Sequence, residues 1–231
     1  MIGERSRVVE FLLKTFEEKP AFISKIRRIL LIILSLHISS LFRRGFENIY
    51  IRDLWGLLSG GIESPYIGEE DLKRVILGDG EPQIMISTSE SIKRKLLAGS
   101  EIVGLYTDGG ASIARSMGFK PVIIIRSSIK SYNYILQDLL SNQIIFFRVS
   151  EKGFIQDLYL PQRTLDALEV LSRAFETYGS YRFNDAVRIL MRELGLDRIE
   201  AQKVLRELYE RGIIRIERGG FITVHTASEI S

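Results

Sequence analysis

The sequence predicts an α/β protein in three parts. A three-layer domain with a mostly parallel sheet carries a helical N-terminal extension and is followed by a small helical domain that ends in a β-hairpin. Three observations carry that prediction. Short apolar runs alternate with helix-like stretches over 83–160, helical spacing dominates 1–77, and 161–231 holds three delimited helices before two short apolar runs. The 231 residues suit two domains at ~100–200 residues each. Their expected limits are 1–160 and 161–231, the first divided into a helical part, 1–77, and a sheet part, 83–160.

Composition bounds the chemistry. The chain is 45% hydrophobic and 26% charged, which excludes a disordered or collagen-like chain and leaves enough apolar residues for a sizeable core. With no cysteine, disulfides, thiolate metal sites and cysteine nucleophiles are excluded. The net charge of +3 is too small to indicate a nucleic-acid binder by itself. Abundant Ile and Arg without Cys suit a heat-adapted, cytoplasmic protein. Met1–Lys19 is charged throughout and shows no apolar stretch before a small-residue cleavage site, so no secretory leader is expected.

In the N-terminal part, Val8–Phe16 and Phe22–Phe42 have helical spacing, and a short helix over Gly68–Leu77 opens on Glu69, Glu70 and Asp71. The apolar stretch Ile29–Phe42 is 14 residues, ~21 Å as a helix, and falls short of the ~30 Å of a bilayer core. A buried or dimer-forming helix is expected, with His37 as a core histidine; with only His225 besides, a His-based metal site has little to build on. Trp55 is expected in a core with Leu54, Leu57 and Leu58. Residues 1–52 hold ten basic and five acidic side chains, with Lys25, Arg27 and Arg28 on one side of the apolar helix and Arg43 and Arg44 on the other. These basic residues suit a solvated rim or a second polyanion contact.

In the sheet part, Ile84–Ser87, Glu101–Tyr106 and Val122–Ile125 read as strands, each followed by a helix-like stretch: Ser89–Leu97, Ala111–Met117 and Tyr132–Leu140. Strand–helix alternation predicts parallel pairing with right-handed crossovers. Ile144–Val149 and Phe154–Leu160 flank Ser150-Glu151-Lys152-Gly153, a hairpin turn.

In the C-terminal part, Pro161 opens a helix with Leu165, Leu168, Leu171 and Phe175 on its apolar face, and Gly179-Ser180 ends it. Asn184 is positioned to cap a second helix, Asp185–Leu194, stopped by Gly195. Asp197 with Glu200 forms a capping-box pattern for a third, which runs to Arg211 and Gly212. Ile213–Glu217 and Phe221–Val224 then enclose Arg218-Gly219-Gly220, a hairpin signal.

Helix, helix, glycine, helix, hairpin is the order of a winged helix-turn-helix. The string Leu205-Arg206-Glu207-Leu208-Tyr209-Glu210-Arg211-Gly212-Ile213-Ile214-Arg215 resembles the end of the recognition helix and the start of the wing in archaeal and bacterial winged-helix regulators. That resemblance implies duplex-DNA binding, with the third helix in the major groove and the wing on the backbone or minor groove. Val204, Leu205 and Leu208, with Ile199, are expected to face the core. Arg198, Gln202, Lys203 and Arg206 are then expected on the outer face and Arg215 and Arg218 on the wing. The same fold also docks proteins, and 161–231 carries eleven basic and eleven acidic residues, so its cations must be gathered on one face to meet DNA.

Residues 101–128 hold Asp108-Gly109-Gly110-Ala111, Gly118-Phe119-Lys120-Pro121 and the run Val122–Ile125. In order and spacing this resembles thiamin pyrophosphokinases and the archaeal hydroxymethyl-dihydropterin pyrophosphokinases. The resemblance implies a Rossmann-like nucleotide fold, but Arg126-Ser127-Ser128 stands where those families place paired metal-binding aspartates, so catalysis is not expected. What remains is a candidate anion site of Ser87, Thr88, Ser89, Asp108, Gly109, Gly110 and Arg126. The structural alternative is that Asp108 caps the Ala111–Met117 helix.

The expected protein is a DNA-binding transcriptional regulator without a cofactor. Its degenerate α/β domain would form a homodimer or sense a nucleotide or other anionic small ligand. A pyrophosphokinase-like enzyme and a protein-docking component of a replication, transcription or repair assembly are the alternatives.

Overall fold

The computed structural model describes residues 6–78, 81–95, 104–126, 133–141 and 143–224. Ser6 caps α1 (Arg7–Thr15) through its hydroxyl, and Asp157 reinforces that helix start by accepting from the Arg7 and Val8 amides at 2.8 and 3.0 Å. There follow β1 (Pro20–Ile23), α2 (Arg27–Arg43), β2 (Ile49–Asp53), α3 (Glu69–Leu72), β3 (Val75–Leu77), β4 (Ile84–Ser87), α4 (Ser89–Lys95) and β5 (Gly104–Thr107). Then come α5 (Ala111–Ser116), β6 (Lys120–Arg126), β7 (Asn133–Asp138), β8 (Ile144–Val149) and β9 (Ile155–Asp157). The last elements are α6 (Gln162–Tyr178), β10 (Tyr181–Arg182), α7 (Phe183–Leu194), α8 (Arg198–Glu210), β11 (Ile214–Ile216) and β12 (Phe221–Val224).

The chain is mixed α/β and divides into two compact units, the first carrying α1 to β9 and the second α6 to β12. The first is built on a mostly parallel nine-stranded sheet in the order β3-β2-β4-β5-β1-β6-β7-β8-β9. Strands β1 to β6 pair in parallel, while β7 runs antiparallel to β6 and β9 to β8.

Two expectations are corrected here. Residues 6–77 are not a helical extension: they supply β1, β2 and β3, and β1 lies inside the sheet between β5 and β6. Pro20-Ala21-Phe22-Ile23 is buried at all four positions, and a strand covered on both faces is a continuous apolar run that periodicity cannot tell from a helix. The stretch expected to be helical at Tyr132–Leu140 forms β7, with Val122 opposite Asp138 and Arg126 opposite Tyr134. Leu97, the first residues of the Glu101–Tyr106 strand, Ser127, Ser128 and His225 lie outside the described residues.

Helix α2 is buried almost all round, from Ile29 to Leu41. Each fully buried Ile or Leu contributes about 1.5–3 kcal/mol, so this helix anchors the core against the sheet. Among the described residues no helix is long and apolar enough to cross a membrane. His37, fully buried on α2, stacks on Phe16 with ring centroids 4.3 Å apart, and its Nδ1 lies 2.9 Å from the Tyr106 hydroxyl. Leu57 and Leu58 are buried as expected, whereas Trp55 is half-buried with the Arg27 guanidinium 5.4 Å from its ring centroid.

In the second unit, α6, α7 and α8 pack around Ala167, Leu171, Ala186, Leu190, Ala201, Leu205 and Leu208. A three-stranded antiparallel sheet, β10-β12-β11, closes it. Helix α7 starts two residues earlier than expected: Arg182 is its N-cap, and Asn184 lies in its first turn.

Candidate functional site

Two groups of residues are candidates, one in each unit. In the first unit, right-handed crossovers send α2, after β1, to one face of the sheet and α4 and α5, after β4 and β5, to the other. In folds of this type ligands sit at the C-terminal ends of adjacent strands whose helices leave on opposite faces, and here that place is the ends of β1 and β5. Ser87, Thr88, Ser89, Asp108, Gly109 and Gly110 come together beside it, at the ends of β4 and β5. Arg126 ends β6, which β1 separates from β5, roughly 10 Å away across the sheet.

The polar groups of that cluster bind one another. The Asp108 carboxylate accepts from the Ser89 amide at 3.1 Å and thereby caps α4, not the helix that follows it in sequence. Thr88 Oγ1 accepts from the Ser91 amide at 3.3 Å and lies 3.0 Å from Ser91 Oγ. Thr107 Oγ1 donates to the Gly109 carbonyl at 3.0 Å. Gly110, with φ at 90°, is the N-cap of α5 and supplies no capping side chain. Amides that could receive a phosphate at the start of α4 thus already serve Asp108 and Thr88. Among the described residues there is no group of three or more His, Asp or Glu placed to hold a metal ion.

Two further acids of the first unit have structural partners. Asp157 caps α1, and its carboxyl is held below the usual range: burial works the other way, but the Ser6 hydroxyl and the Val8 and Arg7 amides outweigh it. Asp138 pairs with Lys120 at 2.8 Å. A cleft of about 810 Å³ lies elsewhere in the unit, among Arg28, Ile32, Leu57, Glu63, Pro65 and Phe154, and none of the seven expected anion-site residues lines it.

The second candidate is the outer face of α8 with the β11–β12 hairpin. The Asp197–Glu200 capping box forms in both directions and fixes where α8 starts. Ala201, Val204, Leu205 and Leu208 then form its buried stripe. At about 100° per residue, Ile199, Lys203 and Arg206 project opposite that stripe, with Gln202 beside them. Arg198, Lys203 and Arg206 are exposed on α8, as are Arg215 and Arg218 on the hairpin, while Gln202 is half-exposed.

The acids of the helix are drawn aside. Glu200 pairs with Arg163 of α6 at 2.7 Å. Glu207 pairs with Arg211 at 2.8 Å and accepts from the Thr164 hydroxyl at 2.8 Å. Both acids lie on the flank toward α6, and among the described residues none of Arg198, Lys203, Arg206, Arg215 or Arg218 forms an ion pair with them or with any other acid. Glu210, exposed one turn beyond Arg206, closes the ridge at its C-terminal end.

Ile199 corrects the sequence reading. It was expected in the core near the start of the helix, yet it is 77% exposed. The phase of the stripe set by Ala201, Val204, Leu205 and Leu208 was the signal that could have placed it. Comparison with protein-family models and with curated proteins returned no match for the chain.

Proposed function

We propose that the second unit is a winged-helix module that binds double-stranded DNA, with α8 in the major groove and the β11–β12 hairpin as the wing. The observation that carries this reading is the sorting of charge on α8. Its two central glutamates are engaged on one flank by Arg163, Arg211 and Thr164, so a unit with balanced charges still offers five cations that form no ion pair among the described residues. Arg198, Lys203 and Arg206 meet phosphates or guanine edges, and Arg215 and Arg218 meet the backbone beside them. Such modules bury roughly 600–1,000 Å² on DNA, so a homodimer on paired half-sites is part of the reading.

In this reading the protein is a regulator, and the α/β unit holds the dimer together or senses a small anion. Pyrophosphoryl transfer is the weaker reading, because Asp108 is the one carboxylate at the described ends of β4, β5 and β6 and it is occupied with the Ser89 amide. Fluorescence anisotropy on labelled duplex DNA tests the DNA-binding reading. The double variant Arg198→Ala/Arg206→Ala is expected to bind at least about tenfold more weakly, to lower the slope of log K against log salt by about 1.8, and to melt as the parent does. Undiminished duplex binding by that variant at low salt rejects the assignment.

A further inference from the structure

The cations explain attraction to a polyanion, but they do not explain Ile199. It is the second residue of α8 and, at 77%, carries the highest exposure of any large aliphatic side chain among the described residues. It lies at the centre of the outward face, three, four and seven positions before Gln202, Lys203 and Arg206, so one ridge presents all four. The Gln202 side chain forms no hydrogen bond among the described residues, so its carboxamide is free to donate and accept. A β-branched hydrocarbon can neither neutralise a phosphate nor hydrogen-bond a base. On a DNA-facing helix the group that complements it is the C5-methyl of thymine. Gln complements adenine, whose N6 and N7 it can engage together. N-terminal residues of a recognition helix are the ones that reach base edges.

We propose that α8 reads A·T base pairs in the major groove, with Ile199 against a thymine methyl and Gln202 on an adenine edge close by. This rests on the reading of the unit as a duplex-DNA binder and adds base specificity to it. Arg198, Lys203 and Arg206 hold the register on the phosphates around this pair. The two residues rise about 4.5 Å apart along the helix, close to one base-pair step, so the thymine and the adenine belong to the same or neighbouring base pairs.

The test uses the full chain. Duplexes are first enriched from a random 20-base-pair library, and the winning site is then remade with single thymines replaced by deoxyuracil, which removes the methyl alone. The parent protein is expected to lose about fourfold in affinity at one thymine, the worth of one buried methyl-sized group. Ile199→Ala is expected to be indifferent to that replacement, and Ile199→Val to keep part of the discrimination. Gln202→Ala is expected to lose about tenfold of its preference for the enriched adenine. Equal uracil sensitivity in the parent and Ile199→Ala overturns the proposal, as does a parent that ignores the methyl everywhere. If no sequence is enriched while salt-sensitive binding to bulk duplex persists, base reading is overturned and DNA binding stands. If no duplex is bound at all, both readings fall together. Ile199→Ala removes an exposed side chain, so a melting temperature equal to the parent's keeps these outcomes free of folding effects.

Discussion

Gly104 and His37 face each other across the contact of α2 with the sheet, and no methyl group fits between them. A Cβ on residue 104 would stand 2.7 Å from His37 Cε1 and 3.0 Å from its Nδ1. The imidazole therefore lies over β5 only because that strand begins without a side chain, and this position brings Nδ1 within 2.9 Å of the Tyr106 hydroxyl. Gly104→Ala is expected to destabilise the protein by about 1–3 kcal/mol through overpacking, although alanine suits a strand at least as well as glycine. Urea unfolding measures it; an unchanged midpoint would show that the ring moves aside freely.

The same imidazole makes stability depend on pH. Burial, with the Arg44 cation adding to it, pushes His37 down from 6.5 to about 3. The unfolded chain takes up this proton near pH 6.5 and the folded chain does not until about 3. Between those values the unfolded state binds more protons, so stability is full above about 6.5 and falls as pH drops, by about 1.4 kcal/mol per unit from this residue. His37→Phe is expected to be less stable than the parent at pH 7, since it orphans the Tyr106 hydroxyl, but to show a flatter decline from pH 6 to 4. Parallel declines in the two proteins would contradict this.

Asp138 supplies an acid limb of its own. Its side chain is 1% exposed, which alone would raise its pKa, yet Lys120 at 2.8 Å, the Ser141 hydroxyl at 2.6 Å and the Leu140 amide at 2.9 Å hold it below the usual carboxylate range. The folded value is depressed, so the stabilisation is present above the unfolded value, ~3.9, and is lost as pH falls through the folded one. Asp138→Asn breaks a buried pair and is expected to cost about 3–5 kcal/mol at pH 7, read by chemical denaturation. A loss below about 1 kcal/mol would mean that Glu18, the other partner of Lys120, suffices.

Asp108 is expected to behave as a cap, not as a catalytic acid. Asp108→Ala removes the acceptor of the Ser89 amide and should lower stability by about 0.5–2 kcal/mol. Calorimetric titration with ATP and Mg²⁺ should give the same heats for the parent and Asp108→Asn. A magnesium-dependent heat that vanishes in the variant would restore the enzyme reading.

What the sequence revealed depended on local chemistry. The Asp197–Glu200 box, Pro161 before α6, and Gly179, Gly195 and Gly212 after the three helices are short-range signals, and α6, α7 and α8 lie where they point. The parallel strands β4, β5 and β6 were legible because helical stretches separate them. Pro20–Ile23 was not, since its apolar run merges with that of α2 across only Ser24–Ile26. The side-chain hydrogen bond from the Ile26 amide to Ser24 Oγ that marks this corner leaves no signature in hydropathy. In the cluster beside β4 and β5 the residues were found but their partners were not. That Asp108 reaches the Ser89 amide depends on β4 pairing with β5 in a register that aligns Ser87 with Thr107, nineteen residues away in sequence from the cap to its target. The exposure of Ile199 followed from helix phase and could have been read beforehand.

If the proposed binding of duplex DNA holds, the Arg163–Glu200 and Arg211–Glu207 pairs give the unit a remote handle on the face that meets it. Arg163 lies on a different helix from the ridge, yet removing it would leave the Glu200 carboxylate, next to Ile199 and three positions before Lys203, without its ion-pair partner, adding repulsion where the proposed duplex would approach. Loss of positive charge at a position that touches no nucleic acid would thus weaken binding by unmasking its neighbour, and the lysine variant at 163, which keeps Glu200 occupied, would restore it.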